Sequence, residues 1–175
     1  MEYLDFIGGP WEIVLRLGAA TLIGCLLGLD RELRDKPAGM RTHGLVCLGS
    51  SLITLASLEI TFTGERLDGS GALRAVQGLM AGIGFLGGGA ILREGRQGVQ
   101  GLTTAASLWV TACLGIASGM GLWITTLTAV GLTLLVLTAG IRVERFIRKR
   151  FGPVGSYEEK GEGEAARSSS GRSSD

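Results

Sequence analysis

Reactive side chains are scarce in this 175-residue chain, which has one histidine and three cysteines. Cys25, Cys47 and Cys113 each lie inside an apolar run, none lies in a loop, and no CxxC pair occurs. That pattern argues against a disulfide framework or a zinc site and leaves the cysteines as small packing residues. No carboxylate falls in the middle of an apolar run. A magnesium pathway would lack the acidic constriction that such an ion usually requires. Spacing assembles no nucleophile–base pair, metal-ligand set or phosphate loop, so an enzyme is not expected and no cofactor is implied. The first ten residues, MEYLDFIGGP, contain two acids and no base, the opposite of a cleavable signal's basic start. The net charge of +1 gives no footprint for nucleic acid.

What is abundant is glycine, with 30 residues, and apolar side chains, at 46%. Five apolar stretches precede a polar end. A helix needs about 20 apolar residues to cross the hydrocarbon core, and the stretches Trp11–Leu29, Gly44–Phe62, Ala75–Leu92, Thr103–Met120 and Leu122–Ile141 meet that length. The expected fold is an all-α integral membrane bundle of five transmembrane helices (residues 11–141). A short external segment (1–10) precedes it, and a basic juxtamembrane segment (142–151) and a disordered tail (152–175) follow. Trp11 and Trp123 fall at span ends, where aromatic belts form; Trp109 lies within a span and reads as a packing residue. Gly119-Met120-Gly121 joins the last two spans as a tight hairpin.

Lys and Arg placement orients the bundle. Arg31, Arg34, Lys36 and Arg41 lie in the first loop, Arg93 and Arg96 in the third, and Arg142, Arg145, Arg148, Lys149 and Arg150 beyond the last span. The opposite side has only Arg66 and Arg74. The N-terminus is therefore expected outside and the C-terminus in the cytoplasm.

Gly78–Leu92 reads GLMAGIGFLGGGAIL, without a charge. Each glycine costs a helix in water about 1 kcal/mol relative to Ala, whereas in a bilayer glycine lets helices approach closely. GIGFLG within it matches GxGxxG, but Leu102–Thr104 stand where a dinucleotide site needs an acid. Gly78, Gly82 and Gly89 fall on one face and Gly84, Gly87 and Gly88 roughly opposite, so the third helix is expected at the bundle centre. Gly87–Gly89 marks either tight packing or a break. Gly24 and Gly28 form a GxxxG that reads as packing.

Two hydroxyl stripes stand out: Ser50, Thr54, Ser57 and Thr61 on the second helix, and Thr103, Ser107, Thr111 and Ser118 on the fourth. Either they line a polar cavity or they bond their own i−4 carbonyls and neighbouring helices. Glu12 and Arg16 read as an i,i+4 pair snorkelling outward, and Glu59 is the only acid within the second span. His43 reads as a cap or headgroup contact, and Thr103-Thr104 as the N-cap of the fourth helix.

The blocks GLDRELRDKPAGMRTHGLVCLG (28–49), GIGFLGGGAILREG (82–95) and GLTTAASLWVTACLG (101–115) occur in this order. Together they resemble the MgtC/SapB family of bacterial inner-membrane proteins. The resemblance implies magnesium homeostasis, survival in macrophages for some members, and regulation of a membrane partner such as the F-type ATP synthase. Its motif positions here are Asp30, Arg31, Glu32, Arg41, Thr42, His43, Gly84, Gly87, Thr103, Thr104 and Trp109. Asp30 and Met40 depart mildly from the pattern, and a C-terminal cytosolic domain that many members carry is expected to be missing. The competing expectation is a small Mg²⁺ channel lined by the two hydroxyl stripes. A homo-oligomer is compatible with either.

Overall fold

The computed structural model describes residues 8–63, 70–92 and 101–151. Arg66, Arg93, Arg96 and the tail from residue 152 lie outside these, so the expectations placed on them are not addressed. The described residues form five helices: α1 Pro10–Glu32, α2 Met40–Thr63, α3 Ser70–Leu92, α4 Leu102–Gly119 and α5 Trp123–Phe151. Each coincides with one of the five apolar stretches and extends past it at one end or both; α4 stops one residue short at its C-terminal end and α5 begins one residue late. Four of them, Pro10–Glu32, Met40–Phe62, Leu102–Gly119 and Trp123–Gly140, are long and apolar enough to cross a membrane. The fifth, α3, matches α1 in length and carries seven glycines, Arg74 and Gln77.

The chain divides into two compact units, residues 1–134 and 135–175. In the second, the described part is the continuation of α5, which stays helical to Phe151. The basic segment 142–151 is therefore helical.

In the first unit α2 pairs with α1 and with α4, and α3 packs on α4 and α2. The core holds Ala20, Leu27, Cys47, Leu114 and Val130. Glycine brings the backbones together. A Cβ on Gly24 would meet the His43 carbonyl, and one on Gly28 would lie 2.6 Å from Gly39 O. The α1 GxxxG is thus the α1–α2 contact. On α4, a Cβ on Gly115 would strike the Cys47 carbonyl, and one on Gly119 would lie 2.8 Å from Ser51 O. Without hydrophobic drive between helices in lipid, such close van der Waals approach holds them.

The expected place of α3 at the centre is not what the structure shows. Cβ atoms on Gly78, Gly82, Gly84, Gly88 and Gly89 would meet nothing within 4 Å; Gly87 would meet Ala105 and Gly71, at the helix start, Thr61 Oγ1. Phe85 is 84% exposed. Helix α3 is peripheral, and it runs unbroken through Gly87–Gly89. The most buried span is α4. Glycine spacing defines a smooth face, but it does not say whether a helix of the same chain covers it.

Candidate functional site

The polar side chains gather where α1 ends, α2 begins and α4 begins. Helix α1 runs out at Glu32, and the chain reverses over residues 33–39. Asp35 (φ 53°) and Ala38 (φ 59°) both take the left-handed backbone that L residues disfavour. Three side chains hold that turn. Asp30 accepts from Arg34 through Nε and Nη2, the latter at 2.8 Å, and this carboxylate keeps the guanidinium above its ordinary pKa. Glu32 Oε2 accepts from the Met40 backbone N–H at 3.0 Å, placing a negative charge on the positive end of α2. Arg31 is buried, and its Nη2 donates to Pro37 O at 3.2 Å and to Thr104 Oγ1 at 2.6 Å.

His43 lies one turn into α2 and is fully buried. Its Nδ1 lies 3.2 Å from Gly39 O and its Nε2 lies 3.2 Å from Ser107 Oγ on α4. The imidazole therefore bridges two helices, and the cap or headgroup role expected for it is not what forms. A hydroxyl and an imidazole do meet here, a pair that spacing did not reveal. Ser107 is buried and gives its proton to Thr104 O at 2.8 Å, so the hydroxyl is not presented to a substrate. Among the described residues no group of three or more His, Cys, Asp or Glu could hold a metal.

Of the motif positions, Arg31, His43 and Thr104 come together in this cluster. Asp30 and Glu32 brace its loop. Arg41 and Thr42 are exposed on the first turn of α2, and Thr103 is exposed on α4. Helix α4 is capped by Gly101 in the left-handed region with no side-chain cap. Thr104 is drawn away from the expected capping role because its hydroxyl faces Arg31. Gly84 is exposed, whereas Gly87 touches Ala105. Trp109 is 50% exposed and so stands on the outer surface of α4, contrary to the packing role expected of it.

The two stripes converge on the α2–α4 seam. Ser50, Thr54, Ser57, Ser107 and Thr111 are buried there, and Thr61 is half-buried. Each hydroxyl donates to a carbonyl of its own helix three or four residues back, at 2.8 Å. Ser118 instead reaches α1, donating to Arg16 O at 2.9 Å. Ser51, beside the stripe and missed in the sequence, has a buried Oγ with no hydrogen-bond partner among the described residues.

At the far end of the seam Glu12 and Arg16 pair at 3.1 Å as expected. The guanidinium turns inward, however, and does not snorkel. Its Nη1 donates to Gly119 O at 3.1 Å, and the group lies against Gly121 in the α4–α5 turn. The last carbonyls of a helix carry partial negative charge and need donors, which explains the inward turn.

Comparison with known proteins adds the lineage of this arrangement. Residues 17–146 match the MgtC family. The chain is 41% identical over 145 residues to protein SrpB of Synechococcus elongatus, covering 78% of this chain and 80% of that one. It is 38% identical over 117 residues to protein SapB of Bacillus subtilis, covering 64% and 49%. To protein MgtC of Salmonella typhimurium it is 40% identical over 128 residues, covering 73% and 51%. The chain thus spans most of SrpB but about half the length of SapB and MgtC. No solved structure matches it.

Proposed function

The chain belongs to the MgtC family, and we propose that it is a regulatory membrane protein that acts by binding another membrane protein, without catalysing a reaction. The process it serves is magnesium homeostasis, and the first partner to test is the F-type ATP synthase. It sits in the bacterial inner membrane with five crossings, the N-terminus outside and the C-terminus in the cytoplasm. The Arg31–His43 cluster then lies at the cytoplasmic end. The Lys and Arg bias supports that orientation.

One observation carries this reading. The outward face of α3 presents Gly78, Gly82 and Gly89 with nothing within 4 Å of an added Cβ. A smooth glycine face is the surface on which a second transmembrane helix packs closely. The test is photo-crosslinking from position 85 in native membranes, followed by identification of the captured protein. Capture that disappears in Gly82→Leu, with the bundle still folded, supports the reading; no protein captured from that face counts against it.

A second reading, a small Mg²⁺ channel, draws on the buried hydroxyls of the α2–α4 seam. Against it, those hydroxyls are engaged with their own backbones, and Gly115 and Gly119 hold the two helices in close contact. Purified protein in liposomes decides: Mg²⁺ flux above that of empty vesicles would restore this reading.

A further inference from the structure

Three contacts run in series at the loop end of the seam: Gly39 O to His43 Nδ1, His43 Nε2 to Ser107 Oγ, and Ser107 Oγ to Thr104 O. Both end atoms are carbonyl oxygens, which only accept. Each contact therefore needs its own hydrogen, supplied by the imidazole or the hydroxyl. A neutral imidazole carries one and the hydroxyl one, so two hydrogens must serve three contacts. An imidazolium carries two, and every contact is then filled. Nδ1–H donates to Gly39, Nε2–H to Ser107, and Ser107 O–H to Thr104. With the ring neutral, Ser107 must abandon either Nε2 or the Thr104 carbonyl.

We infer that His43 is a proton-binding site. Uptake of one proton completes the chain from the α1–α2 loop to the first turn of α4, and its release unties Ser107 from one end. The ligand is the proton itself, taken up at Nε2 of the ring. The charged and titratable groups around it are named by element. Helix α1 brings Arg31, which reaches Thr104 and opposes a second positive charge, together with Glu32 at the α2 N-terminus and Cys25, which lies against Gly44. Helix α2 itself has Arg41 and Cys47. Helix α4 brings only hydroxyls to the ring, Thr104 and Ser107. Burial of the ring and the positive charge of Arg31 oppose the proton, and the Gly39 carbonyl that accepts from Nδ1–H favours it.

The chain has a single histidine, so its ring nitrogens give one signal set. The experiment is ¹⁵N NMR of the full chain, labelled at histidine, in liposomes of phosphatidylethanolamine and phosphatidylglycerol, titrated from about pH 8 to about pH 5. The expected result is one protonated ring nitrogen at the basic end, two at the acidic end, and a single step between. Ser107→Ala removes the acceptor of Nε2–H and should lower the midpoint by roughly 0.5–1 pH unit. Thr111→Ala, one turn further along α4, should leave it in place. A ring that stays neutral across the whole range in the unmodified chain overturns the inference, whether or not the variants fold. So does a midpoint unmoved by Ser107→Ala.

Discussion

Arg31 Nη2 and Thr104 Oγ1 meet at 2.6 Å, joining the last turn of α1 to the first turn of α4 across 73 residues of sequence. Both residues are buried. Hydrogen bonds to charged groups contribute about 1.5–3 kcal/mol, and a buried charge that loses a partner costs more than a neutral group would. Thr104→Val keeps the shape and removes the acceptor. It should lower stability by roughly 2 kcal/mol, read from denaturant unfolding in mixed micelles by circular dichroism. Arg31→Lys should not rescue the fold, because an ammonium cannot fork between Pro37 and Thr104 as the guanidinium does.

The close approaches of α1 and α4 to α2 predict which glycines the fold requires. Gly24→Ala and Gly115→Ala would each drive a methyl into a carbonyl of α2. Overpacking of this kind costs about 1–3 kcal/mol. Gly82→Ala and Gly88→Ala would meet open space and should change stability by no more than about 0.5 kcal/mol. Unfolding midpoints of the four variants, measured side by side, check the division. Equal losses in all four would mean that α3 is packed inside the bundle after all.

These two sets of residues also mark what the sequence made legible. The apolar stretches, the loop bases and the 119–121 hairpin depend on local composition, so the five helices could be placed without coordinates. The GxxxG at Gly24 and Gly28 was readable for the same reason, since one turn of helix brings both to one face. Coverage of a face is not a local property, which is why α3 was expected at the centre and lies at the edge. The His43–Ser107 contact spans 64 residues, and no spacing rule links an isolated histidine to one serine among many. Arg31 stood among the family positions, but nothing local distinguished a buried arginine from its exposed neighbours. The hydroxyl stripes were legible from helical spacing and left open between two roles; the bonding of Ser50, Thr54, Ser57, Thr61, Ser107 and Thr111 to their own carbonyls fits the packing alternative.

At the other end of the seam, Arg16 joins α1 to the α4–α5 turn by donating to Gly119 O while paired with Glu12. Arg16→Met keeps the aliphatic stem and removes both bonds. The pair is partly exposed, so the loss should be about 1 kcal/mol, near the lower end for a charged hydrogen bond. Gly121→Ala should destabilise the same turn separately, because Gly121 has φ +74° and Arg16 Nη2 would lie 2.8 Å from the new Cβ. Combining the two substitutions should give less than the sum of their costs, since truncating Arg16 removes the clash. A double-mutant cycle on unfolding free energy checks this, and strict additivity would refute the contact.

Trp109 provides a check on which surface of α4 remains uncovered. It is 50% exposed although it lies mid-helix in the most buried span. In lipid, that half of the indole should face acyl chains. The chain has three tryptophans, so Trp11→Phe with Trp123→Phe leaves Trp109 as the sole emitter. Reconstituted in bilayers brominated along the acyl chain, the emission should be strongly quenched, and more so by bromines near mid-chain than by those near the headgroup. Helix α4 spans 18 residues, about 27 Å at 1.5 Å per residue, and Trp109 is the eighth of them, which places it about 10 Å from the helix start and well away from either end. Resistance to bromine at every depth would mean that another protein surface covers this side of α4, and the partner-binding face proposed for α3 would then have to include α4.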